Sequence, residues 1–248
     1  MKRRTPESAI PLLLSALMLS ACGGIIPEGR APTGAMSTAT SSVSGPSTTI
    51  SLPAVSRVST APAQVSTRDG EMACISELSA TGAQFNALPD TYAAPGCHKL
   101  GTVQLSALSG DRGRFGISNI GPLKCEAANT FSGWVQYGVD RAAKQILGSP
   151  LKRVETMGSY SCRNVAGTKR RSAHARAEAI DVSGFVLEDG RRIVLEEDWS
   201  GGTAAEREFL RVVHKSACKR FGTVIGPAYN ADHEDHFHLE QSDAKFCR

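Results

Sequence analysis

Histidine is scarce in this chain, six residues in 248, and several familiar patterns are missing altogether. None of the seven cysteines stands three positions from another, so there is no C-x-x-C pair to build a zinc knuckle or ribbon. No serine occupies a G-x-S-x-G elbow, which removes the nucleophile turn of an α/β-hydrolase. The apolar run Ile10–Leu19 is too short to cross a bilayer. Over residues 71–248, 22 Lys and Arg face 21 Asp and Glu, so no charge excess demands a nucleic acid partner. The basic triplet at 169–171 reads as a solvated loop, with an anionic wall polymer as the competing partner.

What is present begins with export. "MKRRTPESAIPLLLSALMLSAC" joins a basic start to a short apolar run and small residues, which predicts a signal peptide over residues 1–21. "LSAC", Leu19 to Cys22, resembles a bacterial lipobox. Cleavage there leaves Cys22 first and lipidated, and each buried acyl methylene adds roughly 0.8 kcal/mol of membrane hold. An ordinary secretory signal with a chance cysteine is the competing reading. Gly23 replaces the aspartate that retains enteric lipoproteins at the inner membrane, which favours the periplasmic side of the outer membrane. Residues 22–69 are dominated by Ser, Thr, Ala, Pro and Gly. They cannot bury enough apolar surface to offset the entropy of ordering, and read as a flexible tether. Residues 70–248 are the length of one domain.

With Cys22 assigned to lipid, Cys74, Cys97, Cys125, Cys162, Cys218 and Cys247 remain. An even number of cysteines in an exported domain predicts three disulfides, and fifteen pairings are open.

Within the domain, Cys74 to Lys124 reads as short strands and irregular chain. Phe131, Trp134, Val135, Val139, Ala142, Ala143, Ile146 and Leu147 recur at helical spacing, and Gly148 and Pro150 end that helix. Its place in the stripe makes Trp134 a core residue. A strand follows from Leu151, then a hairpin with Ile180–Leu187 and Ile193–Leu195 as its arms. "TAAE", Thr203 to Glu206, is a capping box opening a second helix, whose apolar side includes Phe209, Leu210, Val213, Ala217 and Phe221. His214 beside that stripe reads as structural. Helices and paired strands fall in separate runs, so the class is α+β: a small antiparallel sheet with flanking helices. Oligomeric state is left open.

Half of the histidines crowd into "ADHEDHFHLE", residues 231–240. Strand alternation puts His236, His238 and Glu240 on one face, and Phe237 and Leu239 on the core face. "SAHARAEAID" adds His174 and Asp181. A His, an Asp and a His from three points on one sheet edge would suit zinc, which accepts imidazole nitrogen and carboxylate oxygen. A surface loop and a turn carboxylate are the plainer reading of His174 and Asp181.

"GSYSCR" (158–163), "SAHARAEAID" (172–181) and "HEDHFHLE" (233–240) occur in order within a segment, Cys74 to Arg248, that resembles the bacterial extensin-like C-terminal domain family. That family resembles the zinc D-Ala-D-Ala carboxypeptidases and murein endopeptidases. The resemblance implies a zinc-peptidase-like fold with one zinc ion held by His174, Asp181 and His238. It implies Arg163 as the arginine that steadies a carbonyl oxygen or terminal carboxylate, and Asp235 at the position of the general base. It matches His236 and His233 to endopeptidase histidines, with His236 as an alternative base, and Ser172 to a supporting serine. Two departures stand out: Ala177 replaces a glycine, and Asp235 is shorter than the usual glutamate. The expected activity is zinc-dependent cleavage of peptidoglycan peptide bonds. A non-catalytic wall-binding or structural lipoprotein is the alternative, followed by a hydrolase of another envelope polymer.

Overall fold

The computed structural model describes residues 68–248. The expected signal peptide, the expected lipidation site Cys22 and the expected tether, as far as residue 67, lie outside the described residues. Helix α1 (Arg68–Ala80) comes first, and it replaces the strands and irregular chain expected from Cys74. Only Cys74 and Leu78 of this helix are fully buried, one turn apart, with Ile75 partly packed beside them. So narrow a stripe leaves no periodicity that the sequence can display.

Strands β1 (Gln84–Ala87), β2 (Thr91–Ala94), β3 (Cys97–Lys99), β4 (Thr102–Ser109), β5 (Arg114–Ser118) and β6 (Leu123–Lys124) follow. Helix α2 (Cys125–Trp134) continues through wider π-type turns over Val135–Asp140 and Ala143–Leu147, and ends at Gly148. Gly148 has φ 72°, the left-handed conformation that favours glycine at a helix end. Next come β7 (Leu151–Gly158), β8 (Ala179–Leu187), β9 (Arg192–Val194), α3 (Leu195–Asp198) and α4 (Ala204–Ala217). Strands β10 (Thr223–Ile225), β11 (Phe237–Glu240) and β12 (Phe246–Cys247) close the chain. The Thr203 hydroxyl accepts from Glu206 N–H at 3.3 Å and the Glu206 carboxylate from Thr203 N–H at 2.7 Å, completing the capping box.

The fold is α+β, but its sheet is larger than the small one expected. Ten strands run in the order β1-β4-β5-β7-β8-β11-β10-β12, with β6 on β4 and β9 on β8. Pairing is mostly antiparallel; β5 with β7 and β10 with β12 are parallel. Several strands have two to four residues, too few to show alternation in the sequence.

One apolar core joins the sheet to the helices. Trp134 is fully buried, within 5.9–6.4 Å of the Phe131, Phe185 and Phe221 rings, and its indole N–H donates to Val213 O at 3.0 Å. Burying side chains of this size stabilises by about 1.5–3 kcal/mol each. Helix α4 approaches so closely at Gly138 that a Cβ there would collide with Ser216. The six cysteines pair as Cys74–Cys125, Cys97–Cys162 and Cys218–Cys247.

Register then sorts the faces of the central strands. Phe237 lies opposite Val182 and Leu239 opposite Ile180, and all four join the core. Between them His238 lies opposite Asp181, on the other face.

Candidate metal centre

Asp181 is not at a sheet edge, as the sequence suggested, but inside β8, flanked by β7 and β11. Its Cα partners are Gly158 and His238. The β7–β8 ladder shifts register twice between Glu155 and Gly158, immediately before the site, and such bulges re-aim the side chains beyond them. After β7 the chain loops over the polar face. Ser172 caps a short 3₁₀ turn, Ala173–Arg176, its hydroxyl accepting from His174 N–H at 3.4 Å. That turn brings His174 against Asp181.

The turn ends at Ala177 with φ 55°, a left-handed conformation that an L-residue adopts at a cost. Ala177 is fully buried and its carbonyl accepts from Lys124 N–H at 2.8 Å, so the backbone is held there despite the strain.

Three side chains from three elements meet. Asp181 Oδ1 lies 2.9 Å from His238 Nδ1, and Asp181 Oδ2 lies 3.2 Å from His174 Nε2. The two imidazole nitrogens are 3.1 Å apart. A tetrahedral ion with bonds of about 2.0–2.1 Å has ligand atoms about 3.3 Å apart, so the donor set and its spacing fit one small divalent ion. His174, Asp181 and His238 are 3, 9 and 9 % exposed.

Each ring has a partner on its far side. His174 Nδ1–H donates to Ser159 O at 3.1 Å, leaving the Nε2 lone pair inward. His238 turns Nδ1 inward and Nε2 toward Glu240 Oε2, 3.5 Å away. Burial opposes the charge on His238, but contacts with Asp181 and Glu240 outweigh it and raise its pKa to about 9. Burial likewise opposes ionisation of Asp181, yet hydrogen bonds from His174 and His238 hold its pKa well below the usual range.

His236 stands beside this trio. Its Nδ1 donates to Asp235 Oδ1 at 2.6 Å, and its Nε2 lies 3.6 Å from Asp181 Oδ1. His233 packs 5.2 Å from the His236 ring and 5.9 Å from that of His238, and its Nδ1 donates to Asn230 Oδ1 at 2.6 Å. Burial first, then the neighbouring His236 and His238, push the His233 pKa down.

Arg163 is tied in only through its backbone, whose carbonyl accepts from Ser172 N–H at 3.1 Å. Its guanidinium is exposed and makes no hydrogen bond or ion pair among the described residues. Sequence reasoning missed Ser159, which acts through a backbone carbonyl and leaves no residue-type signal. It gave Glu240 no role, although alternation from His236 and His238 marks it. Cys22 lies outside the described residues.

A second close group, His214, Cys218 and Cys247, offers no thiolate because its two cysteines form a disulfide. His214 packs against Trp199 and Phe237 at 5.9 and 5.2 Å, a structural placement. Two concavities are present among the described residues: about 120 Å³ beside Asp140 and Lys144, and about 440 Å³ along the Cys218–Cys247 disulfide. Among the described residues no helix is long and apolar enough to cross a membrane.

The family described as "Extensin-like protein C-terminus" matches residues 72–248. No curated protein and no solved structure matches the chain.

Proposed function

The chain belongs to the extensin-like C-terminus family, and we propose that its domain is a zinc-dependent hydrolase of peptidoglycan peptide bonds, with a zinc-peptidase-like fold. We place it on the periplasmic side of the outer membrane, anchored through a lipidated Cys22. The observation that carries this reading is the convergence of His174 Nε2, Asp181 and His238 Nδ1, 2.9–3.2 Å apart, with a third imidazole, His236, beside them.

His174, Asp181 and His238 would hold the ion. An ion held there would supply Lewis-acid activation of water and polarisation of a carbonyl. The neighbouring groups move the proton. Asp235, the expected base, has Oδ1 engaged by His236 Nδ1, so the geometry favours His236 as base. Its Nε2 takes a proton from the attacking water as the water oxygen bonds the carbonyl carbon, Asp235 steadies the imidazolium, and the same Nε2–H passes that proton to the amine as the C–N bond breaks. Arg163, exposed on the adjacent loop, supplies a cation for the developing oxyanion or a terminal carboxylate. Trimming a terminal residue and cutting a cross-link are both within this chemistry.

Metal analysis of the purified protein, joined to digestion of isolated murein, tests the reading. We expect one zinc per chain and release of peptide fragments that a chelator abolishes. His236→Gln should retain zinc while turnover falls roughly 10²–10⁴-fold. A chain that takes up no zinc, or a zinc-loaded chain that releases nothing, overturns it. The competing reading is a non-catalytic wall-binding module. Murein binding indifferent to zinc and to His238→Ala would establish that reading instead.

A further inference from the structure

A histidine ring flipped by half a turn about its Cβ–Cγ bond exchanges a nitrogen for a carbon at the inward position. His238 can serve a metal centre only if something holds Nδ1 toward Asp181. The inward neighbours cannot do this alone, because an ion would displace the proton through which they contact the ring. What holds it must lie on the far side.

Glu240 is there. It leaves β11 on the same face as His238, two residues on, and its Oε2 lies 3.5 Å from Nε2. Its side chain is 23 % exposed, which limits the water competing for that contact. His174 is steadied differently, by the Ser159 carbonyl, which no substitution removes. We propose that Glu240 is a positioning residue of the centre: its carboxylate faces the Nε2–H of His238, holds the ring and thereby selects Nδ1 as the ligating nitrogen. The proposal rests on the metal-centre reading above.

An outer carboxylate also makes the imidazole a better donor, and losing such a partner typically weakens metal binding about 10–100-fold. His238 is the ion-pair partner of Glu240 among the described residues, so the effect on the centre should pass through that ring.

The test is zinc affinity of the full-length protein, measured against a competing chromophoric chelator, for wild type, Glu240→Ala, Glu240→Gln and Glu240→Asp. We expect a loss of about 10–100-fold in the alanine variant, a smaller loss in glutamine and partial recovery in aspartate. Nitrogen-15 NMR of the zinc-loaded wild type should show His238 metallated at Nδ1 and protonated at Nε2. Urea unfolding of the zinc-free variants should show a smaller loss, relative to wild type, than zinc affinity does. If wild type binds no zinc, the metal-centre reading fails and this inference with it. If wild type binds zinc and all variants match it, or if His238 binds through Nε2, Glu240 has no such role while the centre stands. Affinity losses mirrored by equal losses of zinc-free stability would assign Glu240 a merely structural part and also overturn the proposal.

Discussion

Asp181 and His238 are direct Cα partners on adjacent antiparallel strands, and their side chains touch at 2.9 Å. Both arms of the centre on the sheet are therefore fixed by backbone pairing, and only His174 depends on a loop. Asp181→Asn keeps the shape but removes the charge that both imidazoles face. Zinc affinity should fall by more than the roughly 10–100-fold expected of an outer partner, and murein cleavage should fall with it. Chelator competition on the purified variant measures the first, and fragment release the second. Unchanged affinity would remove Asp181 from the centre.

Ala177 offers a test in the opposite direction. At φ 55° its Cβ crowds the following carbonyl, and glycine would relieve a strain of about 1–2 kcal/mol. Glycine also loses more backbone entropy on folding, roughly 0.5–1 kcal/mol relative to alanine. Ala177→Gly should therefore stabilise the protein, by about 1 kcal/mol or less, without changing zinc affinity. Urea unfolding decides it, and a destabilised variant would show that the buried methyl matters more than the backbone.

Where local pattern determines local structure, the chain could be read in advance. The apolar stripe from Phe131 to Leu147, the Thr203–Glu206 box and the alternation through His236, Phe237, His238 and Leu239 all depend on near neighbours, and each has its expected form. Helix α1 was hidden because it buries little more than Cys74 and Leu78. The extent of the sheet was hidden because β6 and β12 are two residues long and β3, β9 and β10 three. Disulfide pairing, the central position of Asp181 and the choice of ligating nitrogens are tertiary facts. Ser159 O reaches His174 Nδ1 across fifteen residues of chain, and no property of serine announces it.

The disulfides should separate stability from site geometry. Cys97–Cys162 closes 65 residues and pins the loop that follows Ser159, while Cys74–Cys125 closes 51 and ties α1 to α2. In the loop-entropy account each contributes about 4 kcal/mol. Replacing either pair by serine should lower the urea midpoint comparably. Only the Cys97–Cys162 replacement should also weaken zinc binding, because it frees the chain that orients His174. Equal effects on zinc would mean that general loosening, not this loop, governs the centre.

His214 predicts how stability responds to acid. Its ring lies between Trp199 and Phe237, with Nε2–H donating to Arg248 O at 3.1 Å. Burial lowers its pKa, the Arg248 carbonyl partly opposes this, and the Arg211 charge adds to the lowering. The folded protein thus binds the His214 proton less readily than the unfolded chain, whose histidine titrates near 6.5. The stability this ring contributes is complete above about pH 6.5 and is lost as pH falls toward the lower folded value. Other groups titrate in the same window, so the informative quantity is the difference between wild type and His214→Gln. Glutamine keeps a donor for Arg248 O but cannot charge. Urea unfolding from pH 7.5 down to pH 5 should show wild type losing stability more steeply than the variant, with the gap opening near about pH 6.5. Parallel curves would mean that the pocket between Trp199 and Phe237 accepts the imidazolium as readily as water does.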